Sequence, residues 1–185
     1  MRFCYLYKNK LIFNMLSVLL ICIIAVGCTI QKEIPVGTVV VEGDAVEGKA
    51  FFTLEELKSM EEGLREADYF SLNSYGTRKY FHFKGISLNY LLKEKVNLKD
   101  RASKATFIAE DGYTVEYALE DVLREDYIDE QNPEAKYEMI LAWEEDGIEY
   151  NLEIGNPFRL VVGQKEPGDV NKPYWVLNVR TVRID

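Results

Sequence analysis

Apolar and polar positions divide the chain into two unlike parts. From Leu11 to Gly27 apolar side chains run almost unbroken, interrupted only by Asn14 and Ser17. Beyond residue 35 they come in short groups, many alternating with polar ones, as half-buried strands require. This alternation predicts a valine-rich strand over 36–42. Two more follow at 67–74 and 79–84, joined by a Tyr75-Gly76-Thr77 turn, with Gly85 expected to end the second. Asp111-Gly112 between 104–110 and 113–117, and Asp146-Gly147 between 137–144 and 148–153, signal two hairpins, because both residue types tolerate positive φ. Asn132-Pro133 marks a turn, 158–162 a buried strand, 164–173 a long loop and 174–184 a final strand. Helical spacing is brief. Thr53-Leu54-Glu55-Glu56 is a capping box leading into Leu54, Leu57 and Met60, Ser87 can cap a turn through Leu88, Leu91 and Leu92, and 119–124 is a third short helix. Eight or nine short strands with three short helices in mixed order predict an α+β fold with mostly antiparallel sheets.

The long apolar run is a different object. Arg2, Lys8 and Lys10 precede or open it, and no acidic residue appears before Glu33. A basic start, an apolar middle and a small-residue exit form a secretory signal. The exit, Ile24-Ala25-Val26-Gly27-Cys28, resembles a lipobox, with Ala25 where leucine is commoner. It predicts cleavage before Cys28 and lipidation of that cysteine. The competing reading is an uncleaved transmembrane helix, but the 16 residues of Leu11–Val26 fall short of the ~20 that span a bilayer. Either way the expected organisation is a signal segment over 1–27, a tether over 28–35 and one domain over 36–185. That domain is expected outside the cytoplasm, held at the cell membrane.

Charge and inventory narrow the chemistry. Without the three basic residues of the leader the chain carries 19 basic and 31 acidic residues, a net of −12. Such a surface repels phosphate backbones, so nucleic acid is not an expected partner. Cys4 and Cys22 would leave with the leader and lipid would block Cys28, so the mature domain has no free thiol and no disulfide. It holds one histidine, His82. A zinc site built on Cys and His, or a Ser-His triad that does not use His82, is excluded by count.

Several stretches, taken in order, carry a resemblance. Phe52-Thr53-Leu54-Glu55-Glu56-Leu57 opens the series, and Leu72-Asn73-Ser74-Tyr75-Gly76-Thr77-Arg78 and Phe83-Lys84-Gly85-Ile86-Ser87-Leu88 follow. Ala109-Glu110-Asp111-Gly112-Tyr113 then leads into Ala118-Leu119-Glu120-Asp121-Val122. Gly155-Asn156-Pro157-Phe158-Arg159-Leu160-Val161-Val162 closes the series before a strand containing Trp175. From about 51 to 184 this order resembles the oxidoreductase molybdopterin-binding domain, the fold of sulfite oxidases and their bacterial relatives. The resemblance implies layered sheets, a pterin dithiolene carrying molybdenum, and one protein cysteine completing the metal's sulfur ligation. That cysteine sits on a strand-to-turn segment shortly before a W-x-G motif, whose aromatic is Phe83 here; the matching ligand position is Asn73. An amide is neutral and a poor ligand for a soft metal, so the resemblance implies the scaffold without its molybdenum redox chemistry.

A binding role is the remaining expectation. Arg78, Lys79, His82 and Lys84 cluster after the turn, with Tyr75 and Tyr80 interleaved. Arg78 can hold a phosphate bidentately and Tyr75 can stack on a heterocycle. Arg159 and Lys165 flank a segment that lies near the cofactor in relatives. The candidate set is therefore Asn73, Ser74, Tyr75, Arg78, His82, Arg159 and Lys165, with no catalytic residue and no metal ligand assigned. The plainer readings are that lysines at 79 and 84 line an exposed strand face and that His82 is an ordinary half-exposed strand residue. In the same spirit the acids at 144–146 are a solvated hairpin tip, and Tyr69, Phe70, Tyr80, Phe81 and Phe83 are core and cross-strand partners. The expected function is a membrane-anchored, noncatalytic module that binds a pterin or another small anion or serves a redox partner. The alternatives are an active molybdopterin-dependent oxidoreductase with an unusual ligand set, and a structural or interaction lipoprotein.

Overall fold

The computed structural model describes residues 34–185; the signal segment, the lipobox, Cys28 and most of the tether lie outside the described residues. In chain order the strands are β1 (Thr38–Glu42), β2 (Ala50–Thr53), β3 (Leu64–Leu72), β4 (Arg78–Ser87), β5 (Lys104–Ala109) and β6 (Thr114–Ala118). They continue as β7 (Tyr127–Asp129), β8 (Asn132–Tyr137), β9 (Ile140–Glu145), β10 (Ile148–Glu149), β11 (Arg159–Val161) and β12 (Val179–Ile184). The helices are α1 (Leu54–Lys58), α2 (Leu88–Glu94) and α3 (Leu119–Val122).

One five-stranded sheet has the order β2-β1-β12-β5-β6. In the second, β10, β9, β4 and β3 lie side by side and β11 pairs with β9; β7 and β8 form a separate hairpin. The pairing is antiparallel apart from β1 with β12, so the expected mostly antiparallel fold with short helices is what forms. Both sheets feed one continuous apolar core: Val39, Val41, Phe107 and Val182 from the first, Phe83, Ile86, Leu141, Trp143 and Leu160 from the second. Leu88, Leu91 and Leu92 bury the inner edge of α2 in it.

Local chemistry sets the helix starts. Thr53 accepts from the Glu56 backbone N–H while Glu56 accepts from that of Thr53, so two orphan donors of α1 are satisfied at once. Ser87 caps α2 by accepting from Tyr90 N–H.

Several details depart from the pattern, among them the strand expected over 148–153, which is only Ile148–Glu149 and gives way to a turn. Gly85 does not end β4, which runs on to Ser87. Its missing side chain lets β9 cross closely, since a Cβ there would meet the Leu141 carbonyl oxygen at 2.4 Å and Ala142 Cα at 2.6 Å. The β4/β9 register shifts at that point. Residues 132–133 begin β8 rather than a turn; the turn lies just before, where Asp129 accepts from Gln131 N–H at 2.8 Å. Phe51 and Phe52 belong to an unexpected edge strand, β2. Finally, β12 starts only at Val179, because Lys172–Tyr174 is a 3-10 turn and Asn178 has a φ of 56°.

Candidate anion site

The turn after β3 is built by Asn73. Its Oδ1 accepts from the backbone N–H groups of Tyr75 (3.0 Å) and Thr77 (2.8 Å), which folds the segment over its own side chain. Ser74 and Tyr75 project into solvent, with Tyr75 94% exposed. Arg78 Nε donates to Glu130 at 3.0 Å, and Glu130 also accepts from Gly168 N–H and Gln164 Nε2. The Arg78 hydrogen bond is the main reason that the Glu130 carboxyl sits below its ordinary range.

Other predicted cations are partnered too. His82 lies between Asp68 at 2.7 Å and Glu66 at 3.3 Å, and those hydrogen bonds hold its pKa above the ordinary value. Lys84 pairs with the same Glu66 at 3.1 Å. Lys165 reaches Asp121 at 2.8 Å. It lines a cavity of about 250 Å³ together with Glu116, Tyr117, Asp121, Asp169 and Tyr174, a wall with more acids than bases. The structure thus disperses the seven candidates: Asn73, Ser74, Tyr75, Arg78 and His82 follow the β3–β4 hairpin, Lys165 faces this cavity, and Arg159 stands on β11.

Two lysines behave differently. Among the described residues no carboxylate pairs with Lys79 or Lys172. Lys79 Nζ stands 4.1 Å from the centroid of the Phe81 ring; Lys172 Nζ stands 4.0 Å from the same ring and 3.9 Å from Trp175. Phe81 and Trp175 meet edge to face at 5.7 Å. Alternation along β4 puts Lys79, Phe81 and Phe83 on one face, with Phe83 fully buried beneath the others. Lys172 is held by its neighbours: buried Asn171 donates to Phe70 and Val162 carbonyls and accepts from Leu72 N–H, each at 2.9 Å. Trp175 Nε1 donates to the same Val162 carbonyl.

Burial pushes the Lys172 ammonium down to about 8, with the positive charge of Arg159 next; the Glu145 carboxylate works against this, and Lys79 adds a smaller push down. The faces of the two rings work the other way and favour the charged form. Arg159 itself pairs with Glu145 and Tyr150 through Nη1, while its buried Nε has no partner. Cations gathered around aromatic rings, without a matching number of acids, suit a planar anion. Such a ligand relieves like-charge repulsion and accepts charge-assisted hydrogen bonds above a π surface. Of these residues Arg159 was among the sequence candidates and Lys79 lay in the basic cluster. Lys172 was missed, because nothing in a loop's composition shows which side chain turns inward.

No family model and no curated protein matches the chain. Solved structures do. The chain is similar in fold to a solved dehydrogenase. This is the sulfane dehydrogenase SoxCD from Paracoccus pantotrophus, with a TM-score of 0.58 and 21% identity over 80% of this chain and 37% of that one. The chain therefore spans little more than a third of that longer one, and the likeness is one of fold.

A molybdenum-bearing pterin, which the resemblance implies, is testable against the donors present. Asn73 occupies the matching ligand position, and its carbonyl oxygen is already spent on two backbone N–H groups. Among the described residues no three of His, Cys, Asp and Glu gather as a metal site requires. The residues at that position do not fit a thiolate-ligated metal.

Proposed function

We propose that this chain is a noncatalytic binding module for small planar anions of pterin-like chemistry, held by a lipidated Cys28 at the outer face of the membrane. The observation that carries the reading is the pair Lys79 and Lys172, two cations without acid partners over Phe81 and Trp175. The likeness to SoxCD supports a distant relationship to molybdopterin-dependent oxidoreductases of the sulfite-oxidase kind, whose scaffold this chain resembles along most of its domain. Asn73 in place of the ligating cysteine supports a binding role without the metal's chemistry. A redox protein on the same membrane is the partner that such a module would serve.

The test is a thermal-shift series on the full chain purified in detergent, with pterin-6-carboxylate, neutral pterin and phosphate as probes. Ligands that bind the folded state raise its melting temperature by mass action. Pterin-6-carboxylate should stabilise most, neutral pterin least, and Lys172→Met should lose the difference. Equal melting curves with all three probes overturn the reading. So does one molybdenum per chain in the purified protein together with oxidase turnover.

A further inference from the structure

A second surface carries its own message. Five large aliphatic side chains are exposed among the described residues: Val36 at 52%, Ile148 at 73%, Leu152 at 47%, Ile154 at 80% and Leu177 at 44%. Four of the five belong to two short segments, 36 and 148–154, and the fold joins these segments. Gly37 N–H donates to the Asn156 side chain at 2.8 Å. The Leu152 methyl fills the space beside Gly37, 3.0 Å from where a Cβ would stand, and the positive φ of Gly37 makes glycine the natural residue there. Glu149 is tied to Lys58 of α1, and the first residue of that helix, Leu54, donates to the Gly37 carbonyl. Val36 and Leu152 therefore lie beside one glycine, and Ile154 belongs to the same turn as Leu152, its N–H donating to the Asn151 carbonyl, with Ile148 at the start of that segment.

We infer that this aliphatic patch rests on the interfacial layer of the membrane that holds the anchor and fixes the domain's orientation there. The inference rests on the reading of Cys28 as acylated. Only seven residues separate Cys28 from Val36. Fully extended they reach roughly 28 Å, and as a flexible coil roughly half that, so the patch stays within a short distance of the lipid. Acyl chains hold one point and leave the domain free to rotate; a second apolar contact removes that freedom. Patches of exposed aliphatic surface are disfavoured on a free soluble domain, and this one lies where the chain enters from the anchor. The flanking acids Glu149 and Glu153 make a zwitterionic surface the better match than an anionic one.

The test uses the full acylated chain in phosphatidylcholine vesicles. Glu153→Cys places a single label site between Leu152 and Ile154 without touching either, and Tyr75→Cys serves as a control at a fully solvated position. An environment-sensitive dye at 153 should shift to the blue and be quenched by lipid-borne quenchers, whereas the dye at 75 should not. Adding Leu152→Ser and Ile154→Ser should abolish the shift, and vesicles rich in anionic lipid should weaken it. A dye at 153 as wet as that at 75, in a chain whose N-terminal peptide has the mass of an acylated cysteine, overturns the docking alone. An unacylated N-terminus and no vesicle association overturn the anchor reading and the docking with it.

Discussion

Lys79 and Lys172 share one ring: their ammonium groups stand 4.1 and 4.0 Å from the centroid of Phe81, although 92 positions separate them in the chain. Burial, with the positive charge of Arg159 next, costs Lys172 part of its basicity, and this gives a pH signature. Its pKa in the folded state, about 8, lies below the ordinary 10.5. Between those values the native chain has released a proton that the unfolded chain still binds, so stability rises with pH across that window. Anion affinity runs the opposite way and falls as pH rises through 8. Denaturant titrations from pH 7 to 10.5 should show the rise in the parent and a flatter profile in Lys172→Met. Identical profiles would contradict the lowered basicity of this lysine.

His82 gives the reverse dependence. Its pKa is raised by the hydrogen bonds of Asp68 and then Glu66. The stabilisation is therefore complete below the unfolded value near 6.5 and is lost as pH rises through the folded one. His82 is the only histidine, so one ring-proton NMR titration reads it directly. The midpoint should lie above 6.5 and move down in Asp68→Asn. A midpoint unchanged by that substitution would show that the contact does not persist in solution.

Gly85→Ala tests how closely β4 and β9 approach. The added methyl group would stand 2.4 Å from a backbone oxygen of the central neighbouring strand, which cannot swing aside as a side chain can. The expected loss is about 2–3 kcal/mol, the upper part of the range for overpacking. Gly112→Ala, where nothing lies within 4 Å of the added Cβ, gives the cost of a positive φ alone, a cost that Gly85 does not carry. A smaller loss at 85 than at 112 in urea melts would contradict the geometry.

Much of the fold is legible in local chemistry, and the site is legible only in part. The Thr53–Glu56 box, the Ser87 cap and the two Asp-Gly hairpins depend on residues a few positions apart, and they form where the pattern puts them. Alternation likewise puts Lys79 and Phe81 on one face of β4. Gly85 misleads because a glycine that ends a strand and one that admits a neighbour look the same until the neighbour is known. Lys172 is beyond local reading for a similar reason. Its place depends on Asn171, whose partners Leu72 and Phe70 lie 99 and 101 residues away. The predicted basic cluster also looked freer than it is, since Glu66, Asp68 and Glu130 approach it only through strand pairing and loop packing.

The most direct measurement of the central claim is calorimetric titration of the full chain with pterin-6-carboxylate at pH 7, beside the Lys79→Met/Lys172→Met double variant. Each lost charge-assisted contact corresponds to about a 10-fold to 100-fold change in affinity. The account predicts saturable binding in the parent and at least a tenfold weaker Kd in the double variant with its fold intact. No binding by the parent, or the same Kd in both, would contradict it.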